Sequence, residues 1–129
     1  MKKPQFLTGS EAAMMISDNS TVATIGMTLV SASETILKAI ENRFLTEGHP
    51  NGLTLVHSCG QSDRDRGIQH FAHEGMLRRI IGGHWGLQPK MMELISQNKI
   101  LAYCIPQGQF AQLYRSMAGG EPGKITKVG

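Results

Sequence analysis

Gln107 stands between Pro106 and Gly108, directly after the apolar run KILAYCI (99–105). Three further apolar runs end in comparable residues. TVATIG (21–26) runs into Gly26–Met27–Thr28, LTLVHS (53–58) into His57–Ser58–Cys59–Gly60–Gln61, and RIIGGH (79–84) ends in Gly82–Gly83–His84–Trp85–Gly86. Each end pairs glycine with a polar side chain. Glycine allows a tight turn and close approach of a ligand to the backbone, and peptide N–H groups left free there can bind an anion. Strand–helix links favour glycine in any case, so one loop alone decides nothing. Four together point to a binding site.

Other residues carry weaker signals. Trp85, the one tryptophan, fits packing better than a ligand platform, and His84 fits a hydrogen-bonded place behind the site. His57, His70 and His73 are too dispersed for a metal centre; the 70/73 pair shares a helical face but lacks a third ligand. Cys59 and Cys104 match no metal spacing and have no activating base nearby in sequence, so both read as reduced thiols of a cytoplasmic protein. GQSDRDRG (60–67) reads as a solvent loop with internal ion pairs, or as a mount that turns Arg64 or Arg66 toward an anion. Met14, Met15, Met91 and Met92, at helical spacing, read as core filler. No phosphate-binding loop ending in Lys-Ser/Thr occurs, and GMTLVS stands where a dinucleotide fingerprint would follow the first strand. No Asp or Glu is placed as an obvious nucleophile.

The elements that must hold these residues alternate. Strands are expected at 21–26, 53–58, 79–84 and 99–105. Helices are expected at 10–16 with Ser10 as cap, from Ser33 to a stop at Gly48 and Pro50, at 89–97 from Pro89, and at 108–120. Ile36, Leu37, Ile40 and Phe44 form the stripe of the second helix. GIQHFAHEGML (67–77) reads as a short helix or irregular turn. Strands rich in Val, Ile, Leu and Ala without polar alternation belong in a parallel sheet. The fold class is therefore α/β: an open, mostly parallel sheet with helices on both faces. EPGKITKVG (121–129) ends on a fresh β-like run, so the chain reads as incomplete at its carboxyl end.

At 129 residues, with 40% hydrophobic and 18% charged residues, the chain is one domain with an ordinary core. No apolar run reaches the roughly 18 residues of a membrane span, and no signal peptide is expected after Met1–Lys2–Lys3, where Pro4, Gln5, Thr8 and Glu11 interrupt any apolar region. The net charge of +3 is concentrated around Arg64, Arg66, Arg78 and Arg79, and reads as a solvated surface or an anion site. Aromatics make up only 5% and do not interleave with these cations, which argues against nucleic acid.

EAAMMISDNSTVATIG, RFLTEGHPNGLTLVHSCGQSDRDRGIQHFAHEGMLRRIIGGHWG, NKILAYCIPQG and PGKITKVG resemble the amino-terminal part of the family I CoA-transferases. The nearest branch is the acetate/propionate, short-chain acyl-CoA type, with two homologous halves fused in one chain. The resemblance runs from about Leu7 to Gly129, and DRG…HFAHEG, GGHWG and PQG are its specific motifs. It implies a three-layer CoA-transferase α-half, of which residues 1–129 are a truncated part. It also implies ping-pong transfer. An enzyme carboxylate attacks an acyl-CoA thioester, a glutamyl-CoA thioester forms, and an acceptor acid takes the CoA. That glutamate belongs to the carboxy-terminal half, outside this chain, so the chain alone is expected to be inactive.

Residue by residue, Gln107 matches the glutamine that faces the catalytic glutamate and positions the acyl group, with Pro106 stiffening the strand exit and Gly108 opening the backbone. Gly26 and Met27–Ser33 match the glycine-rich segment lining the acyl pocket. Thr28, Ser31 and Ser33 depart from the family's additional glycines and proline, which leaves acyl specificity unassigned. Gly60, Gln61, Gly83, His84 and Trp85 match segments around the pocket or between the halves. The implied ligands are acyl-CoA and a short-chain carboxylate, with coenzyme A as substrate and no permanent cofactor or metal. The implied partners are a carboxy-terminal half or β-type subunit within a homo-oligomer, in short-chain fatty acid or ketone body metabolism, without nucleic acid or membrane. Two other readings stay open: a non-catalytic anion-binding or assembly module, and a sugar-phosphate isomerase-like domain.

Overall fold

A computed structural model describes residues 4–128, so Met1–Lys3 and Gly129, the ends of the basic start and of the terminal β-like run, lie outside it. The order is α1 (Gly9–Met14), β1 (Thr21–Thr24), α2 (Glu34–Glu47), β2 (Leu53–His57), a 3-10 helix (Gly67–Phe71), β3 (Leu77–Gly82), α3 (Pro89–Ser96), β4 (Leu101–Cys104) and α4 (Gln107–Ala118). The four strands form one parallel sheet in the order β1-β2-β3-β4. Each expected strand and helix is present, with bounds shifted by a few residues.

Sequential parallel strands joined by right-handed crossovers place their connections on one face. Leu37 and Ile40 of α2, Ile68 and Phe71 of the 3-10 helix and Met91 of α3 accordingly share a core with Leu53, Leu55, Leu77 and Ile80. Among the described residues, Ala111 and Tyr114 of α4 lie on the other side of the sheet, beside Ile25 and Ser58. The expected cover on both faces is therefore uneven. Leu101 and Tyr103 of β4 remain 60% and 52% exposed, with Arg79 stacked 5.9 Å over the Tyr103 ring.

Local signals explain most ends. Gly48 takes φ 75° and its N–H donates to the Phe44 carbonyl, stopping α2. Pro89 occupies the first turn of α3. Ser33 sits at the start of α2 but its side chain makes no capping bond. For α1 the cap is Thr8, not Ser10. Its hydroxyl accepts the Glu11 N–H, and the Glu11 carboxylate accepts the Thr8 N–H at 2.7 Å, a reciprocal pair that starts the helix two residues early.

Residues 121–128 form no strand. A strand needs a partner edge, and Ile125 stands 99% exposed without one. His70 and His73 are engaged by carboxylates of α2. His70 contacts Glu34 and Glu41 through its two ring nitrogens, and His73 contacts Glu41 at 2.7 Å. Glu34 also accepts the Gly67 N–H at 2.9 Å. These bonds fasten the 3-10 helix to α2 and so fix the loop leading out of β2.

Candidate functional site at the carboxyl ends of the strands

Side chains alternate along β1 and β2, so Ile25 and Ser58 leave the sheet on the face that α4 approaches. Together with Gln107, Ala111 and Tyr114 they line a hollow of about 290 Å³. Gln107 is the first residue of α4 and is exposed, with Pro106 before it in an extended conformation that swings the chain from strand to helix. Gly108 lies in open space, where a side chain would meet nothing; close backbone approach is not what selects it. Ser58 belongs to the β2 exit that the sequence singles out, whereas Ile25, Ala111 and Tyr114 carried no sequence signal. They meet Gln107 only in the folded chain, where α4 brings Ala111 and Tyr114 to the exits of β1 and β2.

The β1 exit folds on itself. Met27 N–H donates to the Val30 carbonyl at 3.1 Å and Val30 N–H returns to Met27 at 2.9 Å. Gly26 has φ 151°, and a side chain there would press on Val30 and Ala32, so glycine is required. Thr28 adopts φ 52° and its hydroxyl donates to the Met27 carbonyl.

The expectation of free amides around the hollow needs correction at Met27, bonded to Val30 as above, and at Thr28 and Gly60. Thr28 N–H donates to the Gly60 carbonyl at 2.9 Å, and Gly60 N–H donates to His84 Nε2 at 3.2 Å. Gly60 and Gly82 are small because the rings of His84 and His57 lie against them, and Gly83 because the Ser58 carbonyl does. Gln61 is likewise turned away from the hollow. It is fully buried, and its Nε2 donates to the Thr24 carbonyl at 2.9 Å, tying β2's exit to β1. The polar groups at β1, β2 and β3 mostly brace one another.

The sequence puts His57 at the β2 exit and gives it no metal role; its bracing role shows only in the structure. It is fully buried and faces the Cys59 carbonyl through Nδ1 at 2.7 Å, while Trp85 Nε1–H donates to its Nε2 at 3.1 Å. A carbonyl only accepts and an indole only donates, so the ring is neutral with its proton on Nδ1. Burial, with the neighbouring His84 adding to it, pushes the His57 pKa below its ordinary value against the opposing Cys59 bond. Strand alternation with Leu53 and Leu55 was the available signal, since it puts His57 on the core face. Cys104 joins the brace by donating from Sγ to the Gly83 carbonyl at 3.2 Å.

Stretches 24–32, 57–62, 82–88 and 104–111 contain no Asp, Glu, Lys or Arg. Arg66 is held by Asp63 at 2.7 Å, and its backbone and side-chain bonds bring the Asp63 carboxyl down to about 2. Among the described residues no group of three or more His, Cys, Asp or Glu could hold a metal, and no helix is long and apolar enough to cross a membrane. A neutral hollow with one exposed carboxamide can orient a carbonyl or carboxylate, but its lining holds no carboxylate.

No family model matches the chain. It is 36% identical over 126 residues to caffeate CoA-transferase of Acetobacterium woodii and 35% identical over 125 residues to acetate CoA-transferase YdiF of Escherichia coli (strain K12). These alignments take in 97% and 95% of the chain but 24% of each relative, so the chain spans about a quarter of their length. The crystal structure of the acyl-CoA transferase YdiF from E. coli O157:H7, in thioester complex with CoA, superposes with a TM-score of 0.91 at 34% identity, over 95% of this chain and 26% of that one. A variant of the decarboxylase AibA/AibB shares the fold alone, at TM-score 0.75 and 18% identity over 95% of this chain and 46% of that one. Sequence and fold together place the chain in family I of the CoA-transferases, on the acetate branch, as a segment that fits their amino-terminal half.

Proposed function

We propose that residues 1–129 are the amino-terminal, α-type part of a short-chain acyl-CoA:carboxylate CoA-transferase, and that the hollow at Gln107 receives the acyl end of the thioester. The observation that carries this reading is the exposed Gln107 carboxamide, set on the first turn of α4 in a small, uncharged hollow with Ile25 and Ser58. Its N–H groups suit the oxygen on which negative charge develops when a carboxylate attacks a thioester. The attacking glutamate comes from a carboxy-terminal half or β-type subunit. It displaces the CoA thiolate as an acyl anhydride forms, and the thiolate then attacks the glutamyl carbonyl and releases the acyl group as its free acid. An acceptor carboxylate reverses these steps and leaves with the CoA. Coenzyme A is thus a substrate and not a resident cofactor, and the assembled enzyme is a cytoplasmic oligomer.

The test is acyl exchange between acetyl-CoA and propionate, with the 129-residue chain alone and with the complementing polypeptide. Exchange is expected only in the assembled enzyme; turnover by the isolated chain would refute the missing nucleophile. In the assembled enzyme Gln107→Ala should lower kcat about 100-fold, the scale of losing one oxyanion donor. An unchanged kcat removes Gln107 from the site. The exposed Leu101 and Tyr103 favour a second reading, in which the segment also serves as an assembly surface.

A further inference from the structure

Two imidazoles hold opposite ends of a single peptide group. The Cys59 carbonyl meets His57 Nδ1 at 2.7 Å, and the Gly60 N–H, across the same peptide bond, donates to His84 Nε2 at 3.2 Å. One residue on, the Gly60 carbonyl accepts the Thr28 N–H at 2.9 Å. Trp85, beside His84, closes the circuit by donating to His57 Nε2 at 3.1 Å. The exits of β1, β2 and β3 therefore meet at Gly60, next to the hollow that Ile25 and Ser58 line.

We propose that His84 is a positioning residue for this site: its neutral ring, accepting through Nε2, sets the Cys59–Gly60 peptide and, through the Gly60 carbonyl, the Thr28 loop. The function of that loop rests on the reading of the hollow as the acyl site; the clamp itself does not. Packing alone does not account for His84. The ring lies against a glycine, which leaves room for it, and the bond it makes requires a bare acceptor nitrogen. The Thr28 loop also needs an outside hold. Thr28 and Ser31 have φ 52° and 63°, a region that side chains disfavour. The Gly60 carbonyl supplies it.

The clamp depends on protonation. An imidazolium donates from both nitrogens and accepts from neither, so a charged His84 would turn a second N–H toward Gly60. The other titratable groups on the four exits are His57 at the end of β2, Cys59 after it and Cys104 at the end of β4. The β1 exit and the first turn of α4 have none, and no carboxylate on these stretches offsets a charge on His84. His57 is buried with both nitrogens engaged, whereas His84 is exposed.

The test is NMR on the 15N-labelled chain. At neutral pH a coupling across the hydrogen bond should connect the Gly60 amide nitrogen to His84 Nε2. On acidification the Gly60 and Thr28 amides should shift together, with the midpoint of the His84 ring itself. His84→Gln retains an acceptor oxygen, so Thr28 should keep its neutral-pH position and the acid transition should vanish. His84→Ala should move both amides and speed their hydrogen exchange at least tenfold, while the Trp85 indole resonance, reporting the fold, stays in place. An unmoved Thr28 amide in His84→Ala, or an acid transition surviving in His84→Gln, overturns the proposal. If His84→Ala does not fold, the His84→Gln titration decides. None of these readouts requires transferase activity, so failure of the CoA-transfer reading leaves this result distinct.

Discussion

Tyr114 borders the hollow, yet its hydroxyl is shielded from solvent and has no hydrogen-bond partner among the described residues. Burial raises its pKa, so the phenol stays protonated and carries an unmet donor. A buried hydroxyl without a partner costs stability that phenylalanine would not. Tyr114→Phe is therefore expected to stabilise the chain by about 1 kcal/mol, read from denaturant melts; a loss of stability would show that the hydroxyl is bonded in solution. Gln107 contrasts with it. It is exposed and makes no contact the fold depends on, so Gln107→Ala should leave the melt unchanged while lowering kcat. That split separates a residue kept for chemistry from one kept for packing.

At the scale of elements, the 3-10 helix is held chiefly by its bonds to α2. Glu34 and Glu41 lie two turns apart on one face of α2, which is why both reach His70. Burial raises the Glu41 carboxyl, but bonds from His73 and His70 outweigh it and bring the group below its ordinary range. Glu41→Gln keeps the shape and removes the charge. It should cost about 2 kcal/mol, the scale of hydrogen bonds to a charged group. Hydrogen exchange should rise in Gly67–Phe71 while β2 and β3 remain protected. Uniform loss of protection would show that these bonds hold the whole core and not this one element.

For the whole molecule, acid and exposed apolar surface are the two weak points. The folded-state pKa of His57 lies below 6.5, so between these values the unfolded chain binds a proton that the native one does not. Its contribution is fully present above pH 6.5 and declines as pH falls below it. The His57 ring protons should titrate below 6.5, and an ordinary midpoint would contradict its burial. Asp63 acts lower, its contribution present above 3.8 and lost as pH falls through about 2. The uncovered side of β4 should make the isolated chain self-associate, with apparent mass in light scattering rising with concentration and falling for Leu101→Lys with Tyr103→Lys; a clean monomer would show that this face needs no cover. The strands, the stop at Gly48 and the start at Pro89 were legible in the sequence, because apolar period, glycine and proline act over a few residues. The gathering of polar groups at the strand exits was legible as well, since parallel strands bring their carboxyl ends to one side. Only the tertiary structure decided what those groups do. Gly60 and His84 are 24 positions apart and His57 and Trp85 are 28 apart, so no local pattern could show that the glycines make room for imidazole rings, that Gln61 turns inward, or that Tyr114 joins Gln107. Such contacts depend on how the crossovers register the strands, and that register is set by the packing of the entire sheet.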